Sequence, residues 1–298
     1  MFGVSGLLER RKFLLGLVGV SIAALALGMW ACSEAGTQKS RELRFDLGCD
    51  IAATAHASGV PSFKVENIDT AIIYSVNAIP ADIPARYTRA GYEISWQPLF
   101  AFTLWANKDN NSLVDHVVLR LDGSFQTHAE AQAFVEQTLA QFLKSKWQRY
   151  HDPVWDALLT GRSSLLNEKG EIAPSLLTID PAYKIPPIDW PVVAKKGATW
   201  RWLGDGVLAD LTINNLGGDG PKGPDTRVPD YRMKLEFDLM ETKLRRDAEN
   251  EARELKEGDA KGWNSTTKLE ADKKERAARN KLLEANAIKR GDSVVKKP

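Results

Sequence analysis

The sequence predicts an α+β fold: a mixed or antiparallel sheet with one main amphipathic helix, followed by charged C-terminal helices. Three observations predict it. Short runs at 71–76, 117–121, 199–214 and 231–239 have the β-branched content or two-residue alternation of strands. One stretch, 127–149, carries apolar residues at helical spacing. Beyond Met240 the composition turns abruptly charged, with a thin apolar stripe that suits exposed helices rather than a core.

At the N-terminus, Arg10-Arg11-Lys12 precedes an uncharged run from Phe13 to Ala31. A basic cluster ahead of an apolar run has the form of an export signal. The run is close to the ~20 residues that span a bilayer, so it also suits an uncleaved anchor. Basic residues stay on the cytoplasmic side, which sends the rest of the chain across the membrane. The pair Arg10-Arg11 resembles the twin-arginine export pattern. Met29-Trp30-Ala31-Cys32 resembles a bacterial lipoprotein cleavage site, which implies acylation of Cys32; Met29 and Trp30 depart from that pattern. Cys49 is the only other cysteine, so a Cys32–Cys49 disulfide in an oxidising compartment is the competing use. Two cysteines exclude a disulfide framework and a cysteine-rich zinc site.

Four segments are expected: a signal or anchor at 1–32, a polar tether at 33–66, an α+β domain at 67–239 and a charged helical region at 240–298. Within the domain, 71–76 reads as a short strand. Residues 92–105 alternate loosely around Pro98, which breaks the run. Val117-Val118-Leu119-Arg120-Leu121 is a strand stopped by Asp122-Gly123. Thr127-His128-Ala129-Glu130 has capping-box spacing, and Phe134, Thr138, Leu139, Phe142, Leu143 and Trp147 then recur on one helical face. A proline- and turn-rich stretch at 153–191 shows little periodicity. Thr199 to Asn214 reads as a hairpin about Gly204-Asp205-Gly206. Tyr231, Met233, Leu235, Phe237 and Leu239 alternate with Arg232, Lys234, Glu236 and Asp238, the clearest strand in the chain. Charged helices follow at 241–257 and 267–288, separated by Gly258-Asp259-Ala260-Lys261-Gly262-Trp263-Asn264. Such helices bury little area by themselves and must dock on the body, pair, or order against a partner.

No complete catalytic, metal or nucleotide signature is present. The four histidines, His56, His116, His128 and His151, share no metal-ligand spacing. Ser163 and Ser164 follow Thr160-Gly161-Arg162, but a nucleophile elbow needs glycine where Leu165 stands. Arg162 and the two hydroxyls suit either an anion or a turn with local hydrogen bonds. Asp205 and Asp219 lie between glycines without the alternating carboxylates of a calcium loop. Lys195-Lys196-Gly197 lacks the rest of a phosphate loop. A net charge of +1 does not suit a nucleic-acid partner. The expectation is therefore no catalytic residue, no cofactor and no metal. Trp200 and Trp202 share one face of a strand with Arg201 opposite. They suit core packing or, with Arg201, a contact surface of the kind that anchors protein interfaces.

The phrases Thr160-Gly161-Arg162-Ser163-Ser164, Trp202-Leu203-Gly204-Asp205-Gly206 and 258–264, with the overall layout, resemble accessory proteins encoded beside type VI secretion phospholipase effectors. The resemblance covers about residues 110–265. It implies a non-enzymatic protein in the periplasm that binds a lipase toxin, either as an immunity protein or as an adaptor that loads the toxin onto the secretion spike. An exported enzyme and a cell-envelope scaffold are the competing classes.

Overall fold

A computed structural model describes residues 42–60, 62–122, 125–152, 157–174, 178–217 and 229–296. The export segment, Cys32 and residues 33–41 lie outside the described residues. The strands are, in chain order, β1 (Leu43–Phe45), β2 (Lys64–Ile68), β3 (Ala71–Asn77), β4 (Ala85–Tyr87), β5 (Ile94–Trp96), β6 (Ala101–Asn107) and β7 (Val114–Asp122). They continue as β8 (Gln148–Arg149), β9 (Ala157–Leu159), β10 (Ala198–Gly204), β11 (Val207–Asn215), β12 (Tyr231–Leu239) and β13 (Val294–Lys296). The described helices are α1 (Ile51–Ala57), α2 (His128–Lys144), α3 (Trp190–Lys196), α4 (Met240–Ala260) and α5 (Ser265–Arg290). None of them is long and apolar enough to cross a membrane.

The fold is α+β. Eight strands form one sheet in the order β2-β3-β6-β7-β12-β11-β10-β8, each neighbour antiparallel to the next. A smaller sheet, β1-β4-β5, and a β9-β13 pair complete the strands. Antiparallel sheets commonly pair an apolar face with a polar one, and this one is apolar on its inner face and charged on the other. Tyr231, Met233, Leu235 and Phe237 of β12 turn inward with Trp200 and Trp202 of β10. Against them pack Val135, Leu139 and Phe142 of α2, Trp190 and Val193 of α3, and Phe45, Tyr87 and Trp96 of the small sheet. Aromatic contacts dominate the packing: Tyr87 stacks on Phe237 at 4.8 Å between centroids, and Phe142 lies flat on Trp202 at 3.8 Å.

Local sequence explains the joints. The capping box of α2 is complete: Thr127 Oγ1 accepts from Glu130 N at 3.2 Å, and Glu130 Oε2 accepts from Thr127 N at 3.1 Å. The β10–β11 hairpin turns through Asp205 and Gly206, both at positive φ, the type I′ requirement. Gly204 is needed for a different reason, since a Cβ there would stand 2.5 Å from Tyr92 Cε1 and 2.8 Å from Trp147 Cε3.

Several expectations are corrected. The tether does not extend to residue 66: Leu43, Phe45, Leu47 and Ile51 are buried in the main core, so residues 42–60 belong to the body. Their polar neighbours hid a three-residue strand and a two-turn helix, both too short to show a period. Helix α2 ends at Lys144 rather than near Arg149. Ser145 caps it, and Trp147 folds back so that its Nε1 donates to Tyr92 O at 3.0 Å. Leu143 is exposed rather than on the buried face, and Phe134 is only partly buried. The stretch 153–191 is not featureless in its described part, which holds β9, a 3-10 turn at Gly161–Leu165 and the start of α3.

Candidate functional site

Trp200 and Trp202 are buried on the inward face of β10. They cannot be exposed anchors of a contact surface, and the expectation that they form one with Arg201 is corrected. Alternation along β10 decides this, because Ala198, Trp200 and Trp202 all turn inward, where Phe142 of α2 lies on Trp202. Arg201 points to the opposite face, where its Nε lies 3.3 Å from Asp210 Oδ2 and its Nη1 3.8 Å from Asp152 Oδ2.

That opposite face carries a charged network across β7, β12, β11 and β10. His116 Nδ1 lies 2.9 Å from Asp238 Oδ1, which also accepts from Arg246 Nη2 of α4 at 2.8 Å. His116 Nε2 is 3.8 Å from Glu236 Oε1, and Lys234 Nζ is 2.8 Å from Glu236 Oε2. Burial pushes the Asp210 carboxyl up to about 6, with Arg201 opposing and Glu236 and Asp238 adding to the rise. Burial works the same way on Asp238, but the hydrogen bonds and charges of His116 and Arg246 outweigh it and hold that carboxyl below its usual value. Burial raises Asp115 as well, against the pull of His116 and Arg246. Tyr150 is pushed up to about 12 by burial, with Asp152 adding. The arrangement is a carboxylate–imidazole chain under the first turns of α4. Among the described residues no hydroxyl or thiol is hydrogen-bonded to His116, and no group of His, Cys, Asp and Glu is placed to hold a metal ion. The network fastens the root of α4 to the sheet. The alternation of Arg232, Lys234, Glu236 and Asp238 pointed to this face; the convergence of Asp210 and Arg246 on it needed the tertiary structure.

Ser163 and Ser164 sit in the 3-10 turn and are buried. The anion met by this turn is part of the chain itself. Asp292 Oδ2 accepts from Ser163 N at 2.9 Å, and Asp180 Oδ2 accepts from Gly161 N at 2.8 Å. Arg290 Nε donates to Ser163 Oγ at 2.9 Å, while Arg162 Nη1 donates to Asp189 Oδ2 at 2.8 Å. Gly161, at φ 57°, leaves room where a Cβ would stand 2.3 Å from Asp292 Oδ1. Thr160 and Ser293 exchange further hydrogen bonds, and β13 pairs with β9 beside them. The Thr160–Ser164 phrase is thus a lock for the end of α5.

The charged C-terminal region is a helical hairpin, tied down at the root of α4 and the end of α5. Of α4, only Gly258 is buried. At the tip, Asn264 Oδ1 caps α5 by accepting from Thr267 N at 3.0 Å, and Ser265 N donates to Asp259 Oδ1 at 3.1 Å. Trp263 is 57% exposed there, with Lys261 Nζ and Lys268 Nζ each 5.6 Å from its ring centroid. The sequence places Trp263 only in the 258–264 break; a tryptophan in a loop between two charged helices, with no apolar period around it, was the signal for a contact residue.

Cys49 is disulfide-bonded. Cys32 is the only other cysteine in the chain and lies outside the described residues. Searches of family models, of curated proteins and of solved structures find no match to this chain.

Proposed function

We propose that the protein is a non-enzymatic, exported binding protein that captures a secreted lipase effector at the periplasmic side of a bacterial membrane, acting as its immunity protein. The observation that carries this reading is the helical hairpin, whose tip holds an exposed tryptophan between two lysines. Tryptophan is enriched where interface energy concentrates, and this ring, although it lies against Gly258 and two lysines of its own chain, leaves 57% of its surface exposed. The hairpin is fastened at its ends and leaves most of its length uncovered, which suits a stoichiometric contact of standard size rather than a pocket. The contact surface proposed here is therefore Trp263, Lys261 and Lys268 in place of Trp200 and Trp202.

Two features of the sequence support the location and the partner. The basic cluster and apolar run at 10–31 suit export, with the anchor either retained or replaced by acylation at Cys32. An acyl thioether on Cys32 and a disulfide to Cys49 would need the same sulfur, so the two uses exclude each other. Changing Cys32 to Ser releases the body from membranes if acylation is the anchor and leaves it bound if the apolar segment is. The resemblance of 160–164, 202–206 and 258–264 to accessory proteins of secreted phospholipases supplies the partner class.

An adaptor role predicts the same binding surface. The deciding experiment expresses a type VI secreted phospholipase in the periplasm of a sensitive strain, with and without this protein. Growth rescued by the full chain, and not by a chain lacking residues 1–32, is the expected result. No rescue by either, together with loss of lipase secretion when the gene is deleted, replaces immunity with the adaptor role.

A further inference from the structure

The eight-stranded sheet ends on β8 at one side and on β2 at the other. Strand β8 has two residues, too few to template another strand. Strand β2 has five, four of them exposed, and among the described residues β3 is its one strand partner. The β2–β3 hairpin turns through Asp69 and Thr70, so Ile68–Ala71, Glu66–Ile73 and Lys64–Ser75 are the pairs that exchange backbone hydrogen bonds. Phe63, Val65 and Asn67 consequently turn their N–H and C=O groups outward, along an edge that no other described strand covers and that holds no proline between 63 and 68.

We propose that β2 pairs antiparallel with β2 of a second copy of this chain, about a twofold axis through Val65, joining two eight-stranded sheets into one. Charge selects the register. Centring the pair on Glu66 sets Glu66 against Glu66, and centring it on Lys64 sets Lys64 against Lys64; both place like charges directly opposite. Centring on Val65 sets Lys64 against Glu66 of the second copy, and Glu66 against its Lys64. These fall at the non-hydrogen-bonded positions, where side chains approach most closely. The same register pairs Val65 with Val65 and Phe63 with Asn67, so all three outward residues of each copy gain backbone partners. Val65, 48% exposed in the single chain, becomes covered by its own counterpart. Lys64 and Glu66 already form an ion pair within one chain at 2.9 Å, but their side chains are 70% and 41% exposed, so exchanging it across the axis loses little. The contact is isologous and closes on itself, leaving only the short β8 edges outside.

The test is sedimentation of the full-length protein in detergent over a concentration series. The wild type associates to a dimer. Lys64→Glu or Glu66→Lys alone places like charges at both symmetric positions and weakens the dimer about tenfold. The double variant Lys64→Glu/Glu66→Lys restores it. Val65→Lys sets two cations on the axis and abolishes the dimer, with circular dichroism unchanged. A monomeric wild type overturns the proposal, as do single reversals without effect or a double reversal no stronger than the singles. A dimer made through the N-terminal apolar run would ignore residues 64–66, and that outcome overturns it equally.

Discussion

Helices α2 and α4 are 17 and 21 residues long, yet six residues of α2 are buried against one of α4. α2 lies along the sheet, and Phe142 reaches the indole of Trp202. α4 leaves the sheet at β12, tied at its root by Arg246 to Asp238. It returns through α5, which is locked at its far end by Asp292 and Arg290 on the 160–164 turn. One helix is held by packing along its length; the hairpin is held by charge and hydrogen bonds at the root of α4, and at the far part of α5 by such bonds together with a small apolar cluster of Leu283, Ala287 and Leu159. The difference separates a scaffold, whose surface is turned inward, from an arm whose surface stays largely exposed.

The comparison breaks first at Phe142. Phe142→Ala removes the ring stacked on Trp202 and should cost about 3–5 kcal/mol in chemical denaturation. A loss below about 1 kcal/mol would mean that α2 is not held by that packing.

The root of α4 gives a pH-dependent contrast. Asp210 has its pKa raised to about 6 by burial, above the ordinary value of 3.8. The folded state therefore binds a proton more readily than the unfolded chain. This group's stabilising contribution is full below the unfolded value and is lost as pH rises through about 6. Asp210→Asn should flatten that fall and raise stability at pH 7 by on the order of 2 kcal/mol. Asp238 runs the other way, since its lowered pKa gives stability that disappears in acid. A stability profile between pH 4 and 7 that Asp210→Asn leaves unchanged would remove Asp210 from the joint.

The lock at the end of α5 has a smaller and more local effect. Asp292→Ala leaves the buried Ser163 N–H without its acceptor and should cost about 1.5 kcal/mol. Hydrogen exchange should quicken in α5 and β13 and stay slow in β12. Equal quickening in all three would make the arm and the scaffold a single cooperative unit.

What could be read beforehand follows the same division. β12 declared itself because one face meets the apolar core and the other carries a charged network, so apolar and charged residues alternate over nine positions. The capping box of α2 is a purely local pattern, and Thr127 and Glu130 carry it. The inward placing of Trp200 and Trp202 was one of two readings open to alternation, because a strand period says which residues share a face and not which face is covered. β1, α1, β9 and α3 went unread since each has seven residues or fewer and is held by distant partners. The lock was hidden for the same reason: Ser163 and Asp292 are 129 positions apart. The hairpin tip was visible as a break between charged helices, but only the exposed setting of Trp263 separates it from a core tryptophan.

Trp263 therefore carries the most direct test of the arm as the binding element. Trp263→Ala is measured for unfolding free energy and, in the same strain, for rescue of growth against the periplasmic lipase. The account predicts an unfolding free energy within ~0.5 kcal/mol of the wild type and loss of rescue. Rescue at the wild-type level by Trp263→Ala, with the variant folded and exported, would contradict it.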